Sequence, residues 1–272
     1  MWNKSNLGRK MSETILDKLA AHAVERTEAA KRIISATDIK HMAFDTEKGT
    51  HSFEKALGKD GLSFILECKK ASPSKGLIAP DFPYVKIAKE YEEAGADCIS
   101  VLTEPKWFLG KNEYLKEITD TVSIPCIRKD FTVDEYMIYE ARTLGASAIL
   151  LICSILSKGQ IEEYLGICEE LGIDAIVETH DTSEAEMAVS AGAKIIGVNN
   201  RNLKDFTVDT SNSLRLREII PTDRIFVSES GIKTPEDAAA VKKAGADAVL
   251  IGETLMRSDN KKEALRLLKS VL

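Results

Sequence analysis

The sequence predicts an α/β chain folded as a closed (βα)8 TIM barrel with an N-terminal helical extension. Three observations lead there. From about residue 61 onward short apolar runs alternate with helical patterns, and eight such alternations imply a parallel sheet that closes on itself. A glycine-alanine pair recurs at Gly95-Ala96, Gly145-Ala146, Gly192-Ala193 and Gly245-Ala246; subtracting successive glycine numbers gives 50, 47 and 53 residues, two strand–helix units each time. Ionisable residues also gather where strands end, the face on which such barrels hold ligands. An open doubly wound sheet would call for a G-x-G-x-x-G turn after the first strand, and the sequence has none there.

The extension comes first. Residues 1–10 are polar and basic and are expected to be weakly ordered, with Met11 as an alternative start. From Ser12 to about Ile34, a stripe of Ile15, Leu16, Leu19, Ala20, Ala23 and Val24 marks one amphipathic helix. Residues 35–60 are mixed, with a short apolar element near His51–Leu57. The expected division is therefore 1–60, too small for a core of its own and packed on the barrel, and 61–272, the barrel. The chain enters the first strand from the N-terminal end. Enough residues separate helix and strand for the helix to cover the opposite mouth, where it would help exclude water.

Strands are expected at Phe64–Cys68, Cys98–Leu102, Ile124–Arg128, Ala148–Ile152, Ala175–Val177, Ile195–Val198, Ile225–Val227 and Ala248–Ile251. The four Gly-Ala pairs end helices and open strands two, four, six and eight, since glycine takes the left-handed position past a helix end. Thr132-Val133-Asp134-Glu135 reads as a capping box, and Thr234-Pro235-Glu236-Asp237 places proline and acids in a first helical turn.

Composition narrows the partners. Net charge is -6 with a pI near 5.5, so no basic field recruits nucleic acid or an anionic membrane. No apolar run approaches the roughly 20 residues that span a bilayer, and a signal-peptide core is not seen. The five cysteines show no C-x-x-C spacing and the four histidines no metal-ligand spacing, which fits a reducing cytoplasm and no metal.

The strand ends carry the chemistry. The first strand closes on Glu67 and Lys69, two residues apart and so on one face. The third runs into Lys129-Asp130-Phe131, the fifth into Glu178-Thr179-His180, and the sixth into Asn199-Asn200-Arg201. Ser228-Glu229-Ser230-Gly231 ends the seventh, and Gly252-Glu253 follows the eighth. Any single pair could be a structural ion pair, but unpaired buried charge costs several kcal/mol, so charge at this many strand ends points to a site. Ser230-Gly231, and Gly252-Glu253 opening a short Glu253–Met256 turn, occupy the place where barrels bind phosphate, with Ser72 able to add a hydroxyl.

Taken together, Glu67-x-Lys69-x-x-Ser72-Pro73-Ser74-x-Gly76, Lys129-Asp130-Phe131, Glu178 with His180, Asn199-x-Arg201 and Ser228-Glu229-Ser230-Gly231 resemble the indole-3-glycerol phosphate synthase family. The resemblance runs from about Ser12 to the end and includes Leu203-Lys204-Asp205-Phe206. It implies a lyase of tryptophan biosynthesis that closes the ring of 1-(2-carboxyphenylamino)-1-deoxyribulose 5-phosphate with loss of carbon dioxide and water, and needs no metal or organic cofactor. By resemblance Lys129 is the general acid and Glu178 the base, with Glu67 and Glu229 orienting the lysines and stabilising iminium charge. Lys69 suits the anthranilate carboxylate, Asn199 and Arg201 lie near the ring and sugar hydroxyls, and Phe108 and Phe131 wall the ring.

An aminoaldose-phosphate isomerase barrel, or a barrel that binds phosphorylated ligands without turning them over, is the competing reading. The Glu67/Lys69 pair and the extension argue against the first, and Lys129, Glu178 and Glu229 against the second. The expected protein is cytoplasmic, monofunctional, and a monomer or weak homodimer acting on a small phosphorylated molecule. Tryptophan-pathway enzymes are the protein partners to look for.

Overall fold

A computed structural model of the chain describes residues 14–202 and 205–271. The expected loose segment 1–10, Met11, and Leu203-Lys204 of the segment after the sixth strand lie outside the described residues. The extension contains three helices. Helix α1, Ile15–Lys31, starts at a capping box in which Thr14 and Asp17 satisfy each other's backbone N–H groups. Its buried stripe is Leu16, Leu19, Ala20, Ala23 and Thr27; Val24, expected in that stripe, is exposed. Position 27 lies four residues beyond Ala23, and the threonine enters the core because its hydroxyl donates to the Ala23 carbonyl, 2.9 Å away.

Helix α2, Ala36–Asp45, is not evident in the mixed composition; it starts at an N-cap on Ser35 and buries Ile39 and Ala43. Helix α3, Ser52–Leu57, is the short apolar element, and its Phe53, Ala56 and Leu57 close the N-terminal end of the barrel interior. Just before it Gly49 and Gly172 meet backbone to backbone, where a Cβ on either would overlap the other. The extension thus runs from the catalytic mouth to the far end, as the chain path requires.

The eight barrel strands are β1 Ser63–Cys68, β2 Cys98–Leu102, β3 Cys126–Lys129, β4 Ala148–Ile152, β5 Asp174–Thr179, β6 Ile195–Asn199, β7 Ile225–Glu229 and β8 Ala248–Ile251. All pair in parallel and β1 closes the ring with both β2 and β8. The third strand begins two residues later than expected. Pro125 has no N–H to give, so the ladder starts after it, although its carbonyl still accepts from Ile99. The shift leaves Lys129 inside the strand, pointing inward with Ile127.

Alternation sorts the rest. Phe64, Leu66 and Ile99 face the surrounding helices, while Ile65, Ile127, Leu150, Ile176 and Val227 fill the barrel. Around it lie α4 Tyr84–Ala94, α5 Asn112–Thr119, α6 Glu135–Thr143, α7 Lys158–Leu171, α8 Thr182–Ser190, α9 Ser211–Arg217, α10 Pro235–Lys243, the short α11 Glu253–Met256, and α12 Lys261–Leu268.

The four repeat glycines all sit at φ between 84° and 92°. In two of the repeats the next acid adds a clamp: Asp97 accepts from the Phe64 N–H and Asp247 from the Phe226 N–H, each at 2.8 Å. Thr234 and Asp237 form the capping box expected of α10. Thr132 does not cap α6. That helix is capped by Asp134, whose carboxylate takes the Tyr136 N–H, while Thr132 is buried in the loop between β3 and α6. After β1 a two-residue ladder, Ala71–Ser72 with Gly76–Leu77, turns the loop over the mouth.

Candidate active site

A cavity of about 560 Å³ opens at the C-terminal ends of the strands. Every residue singled out above for catalysis or for binding substrate and phosphate lines it. His180, on the face of Glu178 by alternation, does not; it sits behind that carboxylate.

At the centre, Lys129 at the end of β3 reaches across the barrel between two carboxylates. Its Nζ lies 3.1 Å from Glu178 Oε2 on β5 and 2.5 Å from Glu229 Oε2 on β7. Burial would lower the pKa of Lys129, but Glu229, Glu178 and Glu67 outweigh it and hold the ammonium well above its ordinary value. Burial would raise the Glu178 carboxyl, yet Lys129 and His180 keep it well below the usual range. Glu229 goes the other way: burial and the facing Glu178 raise it despite Lys129. The trio therefore holds one firm positive charge between two carboxyls of unequal acidity.

Glu229 fits because β6 has a glycine beside it; a Cβ at Gly197 would overlap Glu229 Oε1. That oxygen is buried and, among the described residues, has no hydrogen-bond donor.

On the β1 side Glu67 is buried and pairs with Lys69. Gly252 lies against this pair, and a side chain there would overlap Glu67 Oε2 and stand 2.7 Å from Lys69 Nζ. The folded-over loop after β1 brings Ser72 and Lys75 to the cavity, with Lys75 Nζ 3.9 Å from Glu253. Ser230 and Gly231 have successive positive φ values, 68° and 91°, which turn the chain sharply after β7.

After β2 and β3 the rings of Phe108 and Phe131 stand 6.1 Å apart at 40°. Asn199 Oδ1 accepts from the Arg201 N–H at 3.0 Å, and Arg201 bridges to Val208.

No local pattern in the sequence signals how α1 holds these walls. Its Ile15 and Leu19 line the cavity. Its His22 Nδ1 lies 3.0 Å from Glu104 Oε1, and Glu104 also accepts the N–H groups of Lys106, Trp107 and Phe108. One turn on, Arg26 grips buried Asp130 with bonds of 2.7 and 3.2 Å. Burial would raise the Asp130 carboxyl, but Arg26 and Arg128 hold it below its ordinary value. One helix therefore anchors both loops that carry the aromatic wall. The residues His22 and Arg26 are four apart on one helical face, but their partners are 82 and 104 residues away, beyond the reach of any helical or strand periodicity.

Among the described residues, one cluster of metal-type donors, His51, Glu54 and Asp174, lies at the closed N-terminal end. Its Asp174 is already engaged by His51 Nδ1 at 2.7 Å and the Glu54 N–H at 2.8 Å. No described helix is long and apolar enough to cross a membrane.

Comparison with known proteins agrees with this geometry. By shape the chain is similar to thiamine phosphate pyrophosphorylase from Pyrococcus furiosus (TM-score 0.60, 16% identity, 80% of this chain and 96% of the other). It is likewise similar to a 3-hexulose-6-phosphate synthase (TM-score 0.63, 16% identity, 78% and 100%). At that identity they speak for the barrel alone. In sequence, the chain is 55% identical over 245 residues to the indole-3-glycerol phosphate synthase of Ruminiclostridium cellulolyticum, covering 90% of this chain and 94% of that one. It is 53% identical over 256 residues to that of Endomicrobium trichonymphae, covering 94% and 99%. The family model for indole-3-glycerol phosphate synthase matches residues 16–268, and the chain belongs to that family.

Proposed function

We propose that this cavity closes the indole ring of 1-(2-carboxyphenylamino)-1-deoxyribulose 5-phosphate, with Lys129 as acid and Glu178 as base. Family membership makes the chain a carboxy-lyase of tryptophan biosynthesis acting on a small phosphorylated substrate. The observation that carries the residue roles is the buried Lys129 ammonium between Glu178 and Glu229, open to the cavity at the catalytic end of the barrel.

Ring closure joins the carboxylate-bearing ring carbon to the ketone carbon. The carbonyl electrons move to oxygen, which takes a proton from Lys129 Nζ. Glu229 Oε1, free of donors among the described residues, faces the positive charge left on the arylamino nitrogen. Carbon dioxide then leaves, and its bonding pair restores the aromatic ring. Finally the new hydroxyl departs as water with a proton from the Lys69 ammonium, freed when the carboxylate is lost, while Glu178 takes the proton from the adjacent carbon.

Lys69, oriented by Glu67, holds the substrate carboxylate before it is lost, and Phe108 and Phe131 flank the ring. Asn199 and Arg201 bind ring and sugar hydroxyls. Ser72, Ser230, Gly231, Gly252 and Glu253 form the phosphate end, supported by the turn after β7 and by α11. The division proposed is a catalytic barrel at 61–272 and an N-terminal extension at 1–60, whose described residues pack on the barrel. The five buried, unpaired cysteines support a cytoplasmic protein. A monomer or weak homodimer is proposed, with pathway enzymes as the protein partners to test.

The test is direct. Given the arylamino ribulose phosphate, the purified chain should generate indole fluorescence with equimolar carbon dioxide. Isomerisation of an aminoaldose phosphate without indole would contradict the reading.

A further inference from the structure

His180 follows β5 directly, and the cavity does not reach it. Its ring stands between two carboxylates. Nε2 is 3.3 Å from Glu178 Oε1, and Nδ1 is 3.0 Å from Glu184 Oε2 on α8. Glu184 is held in turn: its Oε2 accepts the His180 N–H at 2.8 Å, and Oε1 accepts from the Ser154 hydroxyl. The Asn212 amide donates to the His180 carbonyl at 3.1 Å, fixing the backbone from a third side. The Nε2–Glu178 contact is one of charge rather than an aligned hydrogen bond, since Nε2 is buried with no hydrogen-bond partner among the described residues. A neutral imidazole would leave one carboxylate facing a lone pair, whereas an imidazolium sets positive charge beside both. Burial alone would lower the His180 pKa, but the facing carboxylates of Glu178 and Glu184 raise it to about 10.

The need for such a cation follows from the roles proposed above, on which this inference rests. Lys129 is the nearest positive charge to Glu178, and as the acid it becomes a neutral amine during ring closure. Glu178 would then be a buried carboxylate beside an amine, with Glu229 across from it. Loss of an opposite charge at this distance raises a carboxyl by about one to three pKa units. A Glu178 that picked up a proton at this point would no longer serve as base for the later dehydration.

We infer that His180 is a positioning residue whose fixed positive charge keeps Glu178 ionised while Lys129 is discharged. Because it lies behind the cavity wall, the imidazolium touches no substrate and its proton is not consumed. The charged and titratable groups around this pair are Lys129 on β3, Glu229 on β7 and Glu67 on β1, which face the Glu178 side. On the His180 side they are Asp181 and Glu184 at the start of α8 and the buried Cys153 thiol after β4. Lys129 and His180 are the cations in that set, and only Lys129 is spent in the chemistry.

The experiment is a single-turnover pH profile, from pH 5 to 9, of the full chain and three variants with the arylamino ribulose phosphate. His180→Asn should lose turnover at neutral pH, with its acid limb moved up by about one to three pH units and substrate affinity little changed. Its rate should recover toward the parent's near pH 9, where Glu178 ionises without help. Glu184→Gln, which leaves the imidazole in place but weakens its hold on the second proton, should shift the limb the same way by less. A lower melting temperature with a profile superimposable on the parent's would overturn the inference and leave His180 a structural residue. So would a uniform loss of rate at every pH. Glu178→Gln separates the two levels: near-parental turnover in that variant would overturn the assignment of the base itself. An inactive Glu178→Gln with an unmoved His180→Asn profile would overturn the role of His180 alone.

Discussion

At Gly252 a Cβ would overlap Glu67 Oε2 and crowd Lys69 Nζ, so the glycine makes room for an ion pair as well as for any phosphate. A Gly252→Val variant is therefore expected to lower turnover together with product affinity. The turnover loss should be on the order of a hundredfold, the scale at which misplacing a catalytic group by about 1 Å acts. Steady-state kinetics with product inhibition checks this. Intact turnover with weakened product binding would assign the glycine to the phosphate alone. Gly197 shows the same logic, since Glu229 crosses the strand only where no side chain stands. Glu67, Lys129, Glu178 and Glu229 were legible in the sequence because a charge at the end of an apolar run has no place in a barrel core. The glycine beside Glu229 was not legible, because its neighbour is on another strand.

At the scale of elements, α1 joins the extension to the mouth by His22–Glu104 and Arg26–Asp130. Removing Arg26 leaves Asp130 buried with Thr103 and Arg128 still against it. Arg26→Ala should cost about 2 to 3 kcal/mol at neutral pH, less than the roughly 3 to 5 of a fully broken buried pair. The sign with pH follows from the lowered Asp130 carboxyl. Its contribution is complete above the unfolded value, near 3.8, and is lost as pH falls through the lower folded value. The gap between parent and variant melting temperatures should thus be full at pH 7 and narrow as the pH falls below the unfolded value. A gap independent of pH would remove Asp130 from the account.

Deleting residues 1–45 takes away α1 and α2 but leaves the α3 plug, so a folded barrel should remain. Its KM should rise about tenfold, equivalent to about 1.4 kcal/mol, on the scale of the apolar wall that Ile15 and Leu19 give the cavity. An unchanged KM and turnover would make the extension a stability element only. The stripe and repeat glycines of these elements were readable from spacing. Helix α2, the Asp134 cap and the β3 start were not, since each depends on which of several adequate residues meets a partner distant in sequence.

Over the whole molecule, a chain of net charge -6 gathers Lys69, Lys75, Lys129, Arg201, Lys233 and Arg257 around one cavity. A substrate with a carboxylate and a phosphate is thus met by local cations rather than by a global field. Those cations come from loops and strands spread along the whole barrel, and parallel closure is what brings them to one end. That closure was foreseeable from eight alternations; the position of the extension relative to it followed from chain length and direction. The central claim is that Lys129, between Glu178 and Glu229, protonates the ketone oxygen as the ring closes. Single-turnover ring closure by Lys129→Met tests it most directly, with substrate affinity measured on the same sample. Substrate should bind within a few-fold of the parent, while closure slows at least about a hundredfold, the lower range for a lost general acid. Closure within about tenfold of the parent rate, falling short of that range, would contradict the claim.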